Sequence, residues 1–185
     1  MKIWPVPNSL SKEIPRMGEA GSFWEERGEG RHCGVDIYAD AGEEVLAIEG
    51  GFVIDIGVFT SPDQQEYYQE THFILIKNNN KVIFKYAELG EVLVELGDKV
   101  ESGQVIGHVG TSLTENESIY KAPFFIRELV SKKQFSKFHL ELYKAPVAEV
   151  RPYEAGNYLG GFKPESLIDP TMYLNGIAKG IDKAY

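Results

Sequence analysis

Two imidazoles and one carboxylate in this chain form a set able to hold a metal ion. His32 and Asp36 lie four residues apart in Arg31-His32-Cys33-Gly34-Val35-Asp36-Ile37, and His139 comes much later, in Phe138-His139-Leu140-Glu141-Leu142. Two neutral histidines and a carboxylate, with a fourth position left open, make the ligand set of a catalytic zinc ion, each donor about 2.0–2.2 Å from the metal. The bland alternative is that His32 and Asp36 hydrogen-bond to each other beside a turn. Lys137 precedes His139 by two residues, so on a strand both side chains point to one face.

The segments that must position these residues read as strands. Val35–Ile37, Glu44–Ile48, Gly51–Phe59, His72–Lys77, Lys81–Tyr86, Glu91–Val94, Gln104–Val109 and Phe138–Tyr143 are rich in Val, Ile and Phe and punctuated by Gly, Asn or Asp. Lys77-Asn78-Asn79-Asn80-Lys81 predicts a hairpin turn, because asparagine tolerates positive φ. The stretch Ala41-Gly42-Glu43-Glu44-Val45 through Gly51-Phe52-Val53 is echoed by Leu96-Gly97-Asp98-Lys99-Val100 through Gln104-Val105-Ile106-Gly107. Two copies of a strand–turn–strand unit predict an all-β fold, mainly an antiparallel β-sandwich or barrel-like sheet.

Residues 1–31 read as an irregular N-terminal arm, and 32–185 as a single β domain with insertions at 60–71 and 111–137. Within the second insertion, Ala122-Pro123-Phe124 through Val130 predicts a short helix with Pro123 in its first turn. Asp169-Pro170-Thr171-Met172-Tyr173-Leu174 predicts a capped helical turn. The insertions also hold Tyr67, Tyr68, Tyr120, Phe124 and Phe125, which pack the loops or line a groove.

Composition sets outer limits. A net charge of −9 argues against nucleic acid as a partner and against attraction to anionic membranes. The single cysteine, Cys33, allows no intrachain disulfide. Met1-Lys2-Ile3-Trp4-Pro5 does not read as a secretory signal, and no apolar run is long enough to span a bilayer. The expectation is a cytoplasmic protein or a trimmed exported form.

At these residues the chain resembles the lysostaphin/LytM-type zinc metallopeptidases, which cut peptide cross-links of bacterial cell walls and share a duplicated hybrid motif fold. His32-x-Gly34-x-Asp36-Ile37 resembles the family's first zinc motif, and Tyr86-Ala87-Glu88-Leu89 its Tyr-x-His-Leu motif. Gly97-Asp98-Lys99-Val100 through Gly107 is similar to its signature hairpin, and Lys137-Phe138-His139-Leu140-Glu141 to its His-x-His motif. The resemblance implies Zn2+ on His32, Asp36 and His139, and a peptide or peptidoglycan substrate. It also implies a catalytic histidine at each of two positions that here hold Glu88 and Lys137.

Those two replacements leave alternatives open. Glu88 would serve as general base, bind the metal as a fourth ligand, or form an ion pair, with Lys137 as one partner. Lys137 would stabilise an oxyanion or sit solvated on a strand edge. Two functions follow: a zinc endopeptidase with a rebuilt site, or a catalytically inactive relative that binds peptide, peptidoglycan or a partner protein. A biotinyl-type or phosphocarrier domain fits poorly, since Asp182-Lys183-Ala184 lies at the chain end and no histidine precedes His32.

Overall fold

In a computed structural model that describes residues 2–180, the chain runs through thirteen short to long strands and two helices. The strands are β1 (Glu26–Arg27), β2 (Gly30–His32), β3 (Val35–Tyr38), β4 (Glu44–Leu46), β5 (Gly51–Thr60), β6 (Thr71–Lys77), β7 (Val82–Val92), β8 (Lys99–Val100) and β9 (Val105–Val109). The helix α1 (Phe124–Ser131) follows, then β10 (Lys137–Lys144), β11 (Tyr153–Glu154), β12 (Asn157–Tyr158), β13 (Leu167–Ile168) and α2 (Thr171–Ala178). Every strand pairing among the described residues is antiparallel, so the architecture is all-β with helical insertions. No helix among them is long and apolar enough to cross a membrane.

The two copies of the repeated unit interlock. Copy one supplies β4 and β5, and copy two supplies β8 and β9; β4 pairs with β9 while β5 pairs with β8. Gly42 and Gly97 open the two copies with matching φ values of +90° and +92°, a region a side chain makes costly. The main sheet runs β13-β10-β7-β6-β5-β8, with β3 paired to β10 and β9 paired to β7 and β4. A second, four-stranded sheet runs β1-β2-β12-β11, and its strand β2 ends in His32.

Side chains sort by strand alternation. Phe84, Tyr86, Phe138, Leu140 and Leu142 face the apolar core, while His139, Glu141 and Lys85 belong to the other face. The residues expected to form two strands at 81–86 and 91–94 are largely one strand, β7, with a register shift between Leu89 and Glu91. Glu88 sits beside that irregularity with φ +61°. In the β6–β7 turn the positive φ falls on Lys81 rather than on an asparagine. Asn78 instead closes the turn, its Oδ1 accepting from Asn80 N at 3.0 Å and Val82 N at 2.9 Å. Segment 2–31 adds β1 and β2 and buries Trp4, Val6 and Phe23 in the core.

The closest glycine approach to another segment's backbone is at Gly34, between β2 and β3. A Cβ built there would lie 2.3 Å from Leu140 O and 2.8 Å from His139 Cε1. A Gly34→Ala chain must therefore push β3 off β10, and backbone offers little give. We expect a loss above about 2 kcal/mol, lowering Tm by at least about 4 °C, read by urea and thermal unfolding.

Candidate metal centre

The sheet brings the three predicted ligands to one point. Asp36 and His139 are register partners across β3 and β10, and His32 enters from the end of β2. All three are buried, and their donor atoms lie within 4.8 Å of one another. His139 Nδ1 is 2.8 Å from Asp36 Oδ1 and 3.0 Å from His32 Nε2, and His32 Nε2 is 3.2 Å from Asp36 Oδ1. Donors around a tetrahedral zinc ion stand about 3.3 Å apart, slightly wider than this triangle.

Each ligand is also oriented from behind. His32 Nδ1 lies 2.8 Å from the Ser22 carbonyl, and His139 Nε2 lies 2.8 Å from Glu141 Oε1. With a metal bound, these bonds would keep the proton on the far nitrogen of each ring and leave the near nitrogens, His32 Nε2 and His139 Nδ1, to ligate. Arg27 Nη2 donates to Asp36 Oδ2 at 2.8 Å, leaving Oδ1 to face the imidazoles. Arg27 is itself held by Glu25 at 2.9 Å. Phe59 covers His139 with ring centroids 5.3 Å apart, and Gly156, at φ +82°, admits the ring where a Cβ would stand 3.0 Å from Cε1. The donor set therefore suits a divalent metal ion on His32, Asp36 and His139.

Electrostatics follow the same pairing. Burial opposes ionisation of Asp36, but His32, Lys137 and Arg27 outweigh it and hold the carboxyl well below its usual range. Burial lowers the His32 pKa to about 4, helped by the Arg27 charge. For His139 burial is outweighed by hydrogen bonds to Asp36 and Glu141, and its pKa rises. Glu141 is fully buried; against that penalty the Lys85 ammonium and the His139 hydrogen bond lower its pKa to about 2.

Glu88 and Lys137 meet in a buried ion pair, with Lys137 Nζ donating to Glu88 Oε1 at 2.6 Å. Of the arrangements open from sequence, this is the ion pair. Glu88 lies outside the group of three gathered donors, and Lys137 is buried rather than solvated on a strand edge. Beside the pair is a cavity of about 20 Å³ whose wall includes Phe125, Ile126 and Leu129 of α1. These belong to a second apolar cluster that joins both insertions: Tyr67, Tyr68, Leu113, Ala122, Ile126 and Leu129 are its buried members. Tyr120 and Phe124 remain exposed.

Two site residues escaped the sequence reading. Glu141 carried a usable signal, since it is two residues past His139 on the same strand face. Arg27 carried none: it lies in a charge-rich stretch that showed no periodicity.

The fold and the gathered donors together define a class, that of the metallopeptidase-like β domains. Residues 30–127 match Peptidase family M23, and the chain belongs to that family. It is 28% identical over 117 residues to a lipoprotein NlpD/LppB homolog of Pseudomonas aeruginosa, covering 63% of this chain and 33% of that protein. It is 30% identical over 83 residues to the glycyl-glycine endopeptidase ALE-1 of Staphylococcus capitis, covering 45% of this chain and 21% of that protein. The chain thus spans a third or less of the curated relatives it matches. A chain in the crystal structure of the SpoIIIAH and SpoIIQ complex shares the fold, with a TM-score of 0.52, 17% identity, and coverage of 94% of this chain and 97% of that one.

The buried Glu141 makes acid stability a direct readout of metal-free protein. Its pKa is depressed on folding, so its contribution is present above about 4.5 and is lost as pH falls toward about 2. The loss is on the order of 3 kcal/mol. In Glu141→Gln the acid limb of the stability curve should flatten, as measured by urea unfolding across that window. An unchanged acid limb would count against the ion pairing described.

Proposed function

We propose that this chain is a zinc-holding member of the M23 peptidases whose metal cleft, as folded, admits no peptide, so that it cuts none and acts as a domain that binds a peptide, peptidoglycan or partner protein elsewhere on its surface. The observation that carries this reading is the cavity of about 20 Å³ left between the Glu88–Lys137 pair and α1. Pockets that hold small ligands run to about 300–1,000 Å³, whereas one water needs about 10–15 Å³. The charged pair stands where the resemblance expects catalytic histidines, and a lysine ammonium accepts no proton.

Zinc would be held by His32, Asp36 and His139, and would supply Lewis-acid polarisation there. Glu141 and the Ser22 carbonyl would keep the two imidazoles in the ligating tautomer, and Arg27 would fix the Asp36 carboxylate. A glycine-rich peptide is the natural probe, because one curated relative is a glycyl-glycine endopeptidase.

A second reading, hydrolysis with Glu88 as base, is favoured by one fact: Glu88 Oε2 is buried and has no hydrogen-bond partner among the described residues. On this reading α1 must leave before substrate enters.

Metal analysis of the purified protein should give one zinc per chain, lost in His139→Ala. Glu141→Gln should weaken zinc about 10- to 100-fold in a chelator competition. No zinc at all would sink the metal reading. The intact protein should leave glycine-rich peptides uncut, and chelator-sensitive cleavage by it would overturn the closed-cleft reading. An Ile126→Asp, Leu129→Asp double variant, built to expel α1, decides between the two readings. Continued silence supports the binding domain, and new zinc-dependent cleavage supports Glu88 as base.

A further inference from the structure

Two residues that line the same small cavity each carry a buried acceptor without a partner. Glu88 Oε2 and Asn157 Oδ1 make no hydrogen bond among the described residues, although the two residues are only 5% and 8% exposed. The third orphaned atom, His72 Nδ1, belongs to a residue outside this cavity. Glu88 comes from β7 and Asn157 from β12, so two sheets contribute one acceptor each. The Glu88 carboxylate is turned by Lys137, which binds Oε1 and leaves Oε2 free. The Asn157 amide is turned by its own donors: Nδ2 bonds to Glu154 O at 3.2 Å and to Ala155 O at 3.1 Å, which leaves Oδ1 pointing away from them. Asn157 is also the register partner of His32, so this acceptor stands beside the first metal ligand.

Chemistry narrows the occupant. It must donate two hydrogen bonds, because the two unpartnered atoms are both acceptors. Arg27 and Lys137 line the same cavity and disfavour a cation, while the Glu88 carboxylate disfavours an anion. The volume of about 20 Å³ exceeds the roughly 10–15 Å³ that one water requires, and no larger molecule fits.

We propose that this cavity is a single-water site, with the water donating to Glu88 Oε2 and Asn157 Oδ1. Asn157 is then a positioning residue: it holds the water against the one carboxylate oxygen that Lys137 leaves unbonded. In the closed protein this water satisfies two otherwise costly buried acceptors. If α1 moves, the same water is already poised against Glu88.

The site is independent of zinc and is read from density rather than turnover. High-resolution crystal structures of the zinc-loaded and chelator-treated protein should both show a water peak within about 3.2 Å of both oxygens. Asn157→Asp should keep the peak, and Asn157→Leu should abolish it. A dry cavity in the wild type would overturn the proposal, whether or not the variants fold. So would an anomalous zinc peak bonded to Glu88 or Asn157, which would make them ligands. Zinc content, measured separately, tells failure of the metal reading from failure of this one.

Discussion

Everything at the site hangs on one close approach, that of the chain at Gly34 to β10. Gly34 packs against the Leu140 carbonyl and the His139 ring at distances no Cβ could share. With that contact made, β3 pairs with β10 in the register that sets Asp36 opposite His139. A one-residue slip would send Asp36 to the core face and Val35 to the polar one. His139 is in turn clamped by β7, where Ala87 is its register partner, so its ring has little freedom.

Around that clamp each buried carboxylate has a cation beside it. Asp36 has Arg27, which it shares with Glu25; Glu88 has Lys137; and Glu141 has Lys85 at 3.7 Å, which also binds Glu149 at 3.1 Å. Burying three unpaired carboxylates would cost several kcal/mol each, whereas a matched and hydrogen-bonded pair approaches break-even. Glu141 is also braced by Tyr143 at 2.5 Å and Tyr153 at 2.6 Å. The result is a rigid bed for two imidazoles, which suits holding an ion more than moving protons.

The insertions add a second packed layer beside the site. A short apolar cluster joining 60–71 and 111–137 is enough to seat α1 across the Glu88–Lys137 pair. That cluster is separate from the main core, and it meets the site through Tyr38 of β3 and through Phe125, whose ring lies 5.4 Å from Arg27.

Strand patterning in the sequence carried the repeated strand–turn–strand unit and most strand positions, because alternation and turn residues depend on neighbours in the chain. His32, Asp36 and His139, the last two 103 residues apart, were joined as one set by the order of the motifs that resemble the family's. The tertiary structure decided what depends on distant partners. It showed that Glu88 is paired to Lys137, 49 residues away, and that Arg27 buttresses Asp36 from an unpatterned arm. It also placed Phe125, Ile126 and Leu129 of α1 beside the Glu88–Lys137 pair. A charge's partner and a loop's resting place are set by packing between segments with no shared periodicity, so no sequence window contains them.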